Sequence, residues 1–253
     1  MNYHRLLHLV ISLGATLLEN GAETYRVEES ILRIFQGHDM AQVDVFVIPS
    51  MLIVTVRPNG SEKIYTQQKR IKVRGTDLTK IKEANDLCRY YCTHDMTLDD
   101  LEQRIETIRH GALYSQLTQY LGHVLAGSGF SLFFGGTLVD AFCAIFSSLM
   151  VKFIFDQMGK LETNTFFTNI LASATLTAWA GFMSISPLQA NMDTTIIGPM
   201  MLLVPGMALT TSMRDIIAGD YISSLVKLVE VVMIGLGVAL GAYISMTAMS
   251  FIV

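Results

Sequence analysis

The sequence predicts an α+β, water-soluble N-terminal domain over residues 1–110, followed by an all-α membrane domain of five transmembrane helices over residues 111–253. Three observations carry this. Of 18 Lys+Arg, 14 lie in residues 1–110, and only Lys152, Lys160, Arg214 and Lys227 follow. Of 22 Asp+Glu, 15 precede residue 111. The remainder is rich in Gly, Met, Leu, Phe and Ala and falls into apolar stretches, so the mean hydropathy of +0.43 averages two unlike parts. A net charge of −4, with neither part strongly basic, argues against a nucleic-acid partner.

In the first part, Leu6, Leu7, Val10, Leu13, Leu17 and Leu18 recur at helical spacing between Tyr3 and Glu19, the stripe of an amphipathic helix. Asn20-Gly21 ends it. A second helix follows from Ala22 to about Phe35, turning Tyr25, Val27, Ile31, Ile34 and Phe35 inward, so the pair forms a helical hairpin. The runs Val43–Ile48, Met51–Arg57 and Lys63–Val73 are rich in β-branched residues and are punctuated by Pro49-Ser50 and Pro58-Asn59-Gly60, which are strand and hairpin signals. Thr76-Asp77 caps a helix through about Cys92, and Thr97-Leu98-Asp99-Asp100 starts another through Arg109.

The densest polar segment is Gly21-Ala22-Glu23-Thr24-Tyr25-Arg26-Val27-Glu28-Glu29, where three-residue spacings allow a Glu-Arg-Glu ladder. Structural ion pairing is the favoured reading there, since no nucleophile lies nearby. Three cysteines, Cys88, Cys92 and Cys143, cannot all be paired. Cys88, Cys92 and His94 lack a second Cys/His pair at zinc spacing, so a reduced cytoplasmic helix is the better reading than a metal site. Neither a metal nor a cofactor is expected. Met1 to Leu18 holds Arg5, His4 and His8 and no small-residue cleavage site, so no signal peptide is expected.

At roughly 20 apolar residues per span, the five predicted helices fall at about 113–134, 137–156, 165–186, 194–213 and 223–251. Lys152 and Lys160 flank the second turn, and Arg214 and Lys227 the fourth. The positive-inside rule therefore places these turns and the N-terminal domain in the cytoplasm, in a multi-pass protein of the cell membrane. Asp140 either caps its helix or has a functional role. Lys152 and Asp156 pair, as do Lys227 and Glu230, with Glu230 deep enough to hold a proton or substrate. Gly122, Gly127, Gly129, Gly235, Gly237 and Gly241 permit close helix approach or contact with another subunit. The fourth span is broken by Pro205-Gly206 and ends in Arg214-Asp215, and a broken span survives in lipid only beside protein or a water-filled path.

Two segments resemble the threonine/serine exporter family. They are Gly21 to Glu28 followed by Val45-Phe46-Val47-Ile48-Pro49, and Ile197 to Leu209 followed by Arg214-Asp215 and Gly219-Asp220. The resemblance covers nearly the whole chain. It implies that Glu23, Arg26 and Glu28 belong to a motif of the N-terminal domain, that Asp140 is the acidic residue after a glycine pair, and that Pro205, Gly206, Arg214, Asp215 and Asp220 form the broken span and its exit. It departs from the pattern at Thr211-Ser212, where Asn is often found, and at Ser223-Ser224, where Gly is common. The resemblance further implies the larger subunit of a split exporter that needs a second, smaller membrane subunit, with threonine, serine or succinate as cargo.

The expected function is thus a secondary exporter, an oligomer in membrane lipid, that moves a small polar metabolite outward with the proton gradient. Arg214 gathers a carboxylate, freed backbone groups at Pro205-Gly206 bind the substrate, and Asp215, Asp220, Glu230 or Asp140 carries the proton. The rivals are a membrane-anchored hydrolase, using Ser128 or Ser131 with His123 or else Glu23 and Glu28, and a regulatory or scaffold subunit whose partner forms the pore. No catalytic residue is assigned.

Overall fold

A computed structural model describes residues 2–72, 75–111 and 114–251. Among these are ten helices and one three-stranded sheet, divided between two compact units.

The first unit comprises Met1–Ala112 together with Met207–Leu228. It holds α1 (Tyr3–Glu19), α2 (Thr24–Gln36), β1 (Met40–Ile48), β2 (Met51–Pro58), β3 (Tyr65–Arg70), α3 (Leu78–Thr93) and α4 (Leu98–His110). Helix α1 is buried on nearly every side: Leu9 and Ile11 are as enclosed as Leu6, Val10 and Leu17, because α2, α3, α4 and the sheet all pack on it. The amphipathic stripe read from the sequence is therefore only part of its buried surface. Gly21 makes the turn into α2 at φ +91°, a left-handed conformation that glycine adopts without strain. The sheet is antiparallel in the order β1-β2-β3, with Val45 opposite Val54 and Val54 opposite Gln67. Alternation turns Leu52, Val54 and Val56 of β2 into the core beside Val27, Ile31 and Phe35 of α2. Asp77 caps α3 by accepting from the Thr79 and Lys80 amides, and Thr97 caps α4 at the Asp100 amide, as their positions predicted. Val73, the expected end of the third strand, and Leu113, the expected start of the first span, lie outside the described residues.

The second unit comprises Leu113–Gly206 and Val229–Val253. It contains α5 (Gln116–Phe133), α6 (Leu138–Lys160), α7 (Thr165–Ile185) and α8 (Met192–Met200). Two further helices are divided between the units: α9 (Gly206–Ile217) lies almost wholly in the first, and α10 (Tyr221–Met249) continues into the second. Large apolar side chains including Leu125, Phe133, Phe153, Val232 and Leu240 are exposed. Helices this apolar on their outer faces need lipid or protein around them.

The expected fold class is corrected on two points. Among the described residues only three helices, α6, α7 and α10, are long and apolar enough to cross a membrane by length and composition, rather than five. The predicted first span forms α5, but Gln116, Gln119 and His123 dilute its hydropathy. The predicted fourth span is two short helices, α8 of nine residues and α9 of twelve, and neither approaches a bilayer's thickness. Secondly, a separate N-terminal soluble domain is not evident, since the unit that contains residues 2–111 also incorporates Met207–Leu228.

Small residues set the helix contacts of the second unit. A Cβ on Gly198 of α8 would lie 2.3 Å from the Gly127 carbonyl oxygen and 2.7 Å from the Ser131 amide of α5, and one on Gly241 of α10 would lie 2.2 Å from the Ile170 carbonyl of α7. Gly122, Gly129 and Gly235 have nothing within 4 Å of such an atom. Gly198→Ala is expected to destabilise the detergent-purified protein by about 1–3 kcal/mol through overpacking. Gly122→Ala, measured by the same thermal unfolding, is expected to leave it unchanged.

Candidate functional site

The polar motif at the start of α2 and the charged end of α9 form one cluster within the first unit. Glu23 precedes α2 in an extended conformation, and its own side chain makes no capping bond. Its carboxylate is 11% exposed and meets two guanidiniums: Arg214 Nη1 pairs with Oε1, and Arg26 Nε lies 2.6 Å from Oε2. Both arginines remain about half exposed, so a buried anion sits beneath two accessible cations. Three-residue spacing on α2 brings Arg26 back over Glu23. Arg214 arrives because α9 continues through Ile217, so Arg214 and Asp215 are helical rather than part of a connecting loop. The loop itself is Ala218 to Asp220, with Gly219 at φ +85°.

One position along α9, the chain turns its next charge inward. Asp215 is fully buried, and its Oδ2 accepts from Lys227 Nζ at 2.7 Å, with Lys227 only 8% exposed. Asp215 Oδ1 has no hydrogen-bond partner among the described residues. Residue spacing pointed Lys227 toward Glu230; across the α9–α10 turn Lys227 also has Asp215 as a partner, which spacing did not suggest. Three serines line the same turn: Ser224 Oγ donates to the Ser212 carbonyl at 2.9 Å, and Ser223 Oγ to the Val47 carbonyl at 3.5 Å.

Asp220 closes the cluster. Its Oδ2 accepts from Thr24 Oγ1 at 2.9 Å, while its Oδ1 accepts from the Ser223 amide at 3.4 Å in the first turn of α10. Glu28, one turn along α2 from Thr24, accepts the Val47 amide at 3.0 Å. Burial pushes the Glu28 carboxyl above the usual carboxylate range; the Val47 amide bond opposes this and the negative charge of Asp220 adds to it.

Six expected residues, Glu23, Arg26, Glu28, Arg214, Asp215 and Asp220, therefore lie together. The other four belong to the second unit. Asp140 forms a capping box with Thr137 at the start of α6, and its Oδ1 accepts the Asn191 amide at 2.6 Å. Pro205 and Gly206 follow the break after α8, where Leu203 N bonds to the Met200 carbonyl and Gly206 N to the Val204 carbonyl. Glu230 is half-buried on α10. Thr24, Lys227 and Ser212, Ser223 and Ser224 were not singled out as site residues from sequence. The usable signal was the three-residue spacing of Ser212 with Asp215 and of Ser224 with Lys227, which puts each pair on one helix face.

Two residues of the rival hydrolase reading make local bonds. Ser128 Oγ donates to the Val124 carbonyl and His123 Nδ1 meets the Gln119 carbonyl, each one turn back along α5. Among the described residues no group of three or more His, Cys, Asp or Glu side chains is arranged to hold a metal ion. Lys152 does pair with Asp156, as the spacing predicted.

Residues 8–249 match the ThrE family, described as "Putative threonine/serine exporter". The chain belongs to that family. It is also 21% identical, over 97% of its own length, to a Mycobacterium tuberculosis (strain ATCC 25618 / H37Rv) protein named "Probable threonine/serine exporter". The alignment covers 46% of that relative, so the chain spans about half its length. No solved structure matches.

The Asp215–Lys227 pair has a direct test. Lys227→Met leaves a buried carboxylate without its cation and is expected to destabilise the purified protein by about 3–5 kcal/mol. Adding Asp215→Asn to that variant removes the stranded charge and is expected to restore much of the melting temperature.

Proposed function

We propose that this chain forms the substrate-binding part of a membrane exporter for a small zwitterionic amino acid, threonine or serine, and that the Glu23–Arg214 pair is where the cargo is recognised. The supporting observation is the pair itself, a buried carboxylate held against a half-exposed guanidinium. An amino acid carries the same two charges in one molecule. Its carboxylate can take the place of Glu23 on Arg214 with bidentate geometry, and its ammonium can take the place of Arg214 on Glu23. The exchange conserves charge at each step, so no buried ion is left uncompensated.

A dicarboxylate such as succinate is the second reading. It offers Arg214 a partner but brings further negative charge toward Glu23, which then retains only Arg26. The internal pair therefore favours an amino acid.

Coupling to protons is proposed through Glu28, because burial, and to a lesser degree the negative charge of Asp220, lets its carboxyl take up a proton more readily than an exposed one. A second, smaller membrane subunit is proposed to complete the transporter, as the resemblance to split exporters of the family implies. The 14 Lys+Arg of residues 1–110 support a cytoplasmic location for that segment.

Counterflow of labelled threonine, serine and succinate, in vesicles holding this chain with and without the companion, tests the assignment. Arg214→Ala is expected to lower amino-acid counterflow by at least about tenfold while membrane insertion is retained; full activity in that variant refutes the role. Glu28→Gln preserves an acceptor for the Val47 amide but holds no titrating proton. The unsubstituted protein is expected to show a pH-dependent rate with a midpoint above the ordinary carboxylate range, and Glu28→Gln a flat profile across the same window.

A further inference from the structure

Arg26 also borders a second charged feature, a cleft of about 520 Å³ lined by α2 and α3. Its walls follow from helical spacing. On α2, Glu29 and Ser30 lie three and four residues after Arg26 and four and three before Arg33, and on α3 Cys88 and Arg89 lie three and four after Asn85, so each set lies on one face. Three guanidiniums thus face one carboxylate. That carboxylate, Glu29, already pairs with Arg33 at 2.6 Å, and both side chains are more than half exposed, so the pair exchanges readily with a ligand. The Arg89 guanidinium has no partner among the described residues.

The floor adds no competing charge. Cys88 is buried and its thiol donates to the Ser30 carbonyl at 3.4 Å. Burial pushes the thiol up to about 12, which keeps it neutral. Asn85 and Ser30 supply uncharged hydrogen-bonding groups beside the cations.

We propose that the α2–α3 cleft is a binding site for a small, multiply charged anion, bound by the forked guanidiniums of Arg33 and Arg89 with Arg26 at its edge. Guanidinium forks match carboxylate and phosphate oxygens equally, so the shared chemistry is an oxyanion with two or more acidic groups. This inference stands independently of the export reading.

The test uses the purified full-length chain in detergent, titrated calorimetrically with citrate and, separately, with pyrophosphate at constant ionic strength. Saturable binding of at least one probe is expected. Citrate alone identifies a polycarboxylate site and pyrophosphate alone a phosphate site. Arg33→Ala and Arg89→Ala are each expected to weaken binding by about tenfold. Arg89→Lys, which keeps the charge and loses the fork, is expected to fall between, and serves as the fold-preserving control. Lys63→Ala, outside the cleft, is expected to bind normally. Absence of saturable heat with both probes, or unchanged affinity in both arginine-to-alanine variants, overturns the proposal.

Discussion

The cluster depends on the need of a buried carboxylate for a cation. Glu23 and Asp215 are both withdrawn from water, and each secures its charge on a cation of another element, Glu23 on Arg214 far along the chain and Asp215 on Lys227 across the following turn. Taking an ion out of water is unfavourable by several kcal/mol. The arrangement persists only while the helix starting at Thr24, the helix ending at Ile217 and the first turns of the last helix hold their places. The Glu23–Arg214 pair and the Thr24–Asp220 hydrogen bond join residues nearly two hundred positions apart within one compact unit.

Much of this was legible in sequence where a local rule governed it. The caps at Asp77 and Thr97, the hairpin at Pro49-Ser50 and the Lys152–Asp156 pair each depend on residues within four positions, and the structure contains them. The failures arise where the partner is remote. Leu9 and Ile11 fall off the amphipathic stripe, yet packing from several elements buries them. Lys227 meets Asp215 on another helix, a partner that local spacing did not offer. The Pro205-Gly206 break was legible in the fourth apolar run, but not that it leaves two separate helices of nine and twelve residues, each too short to span.

The membership of the ThrE family and the geometry answer different questions. Similarity over residues 8–249 identifies the kind of protein. The geometry shows which side chains converge, and it joins two motifs that the sequence presents as unrelated. Glu23 is the hinge of that convergence: a single carboxylate divides itself between Arg26 and Arg214, so any change of partner at one arginine is felt at the other.

Asp140 carries a different lesson. Its carboxylate closes the capping box of the helix from Leu138 and also receives the Asn191 amide, immediately ahead of the helix from Met192. Two helix beginnings, some fifty residues apart in the chain, thereby hang from one anchor. Shortening that side chain would loosen both at once, making a residue with an apparently local task an architectural tie for the apolar bundle.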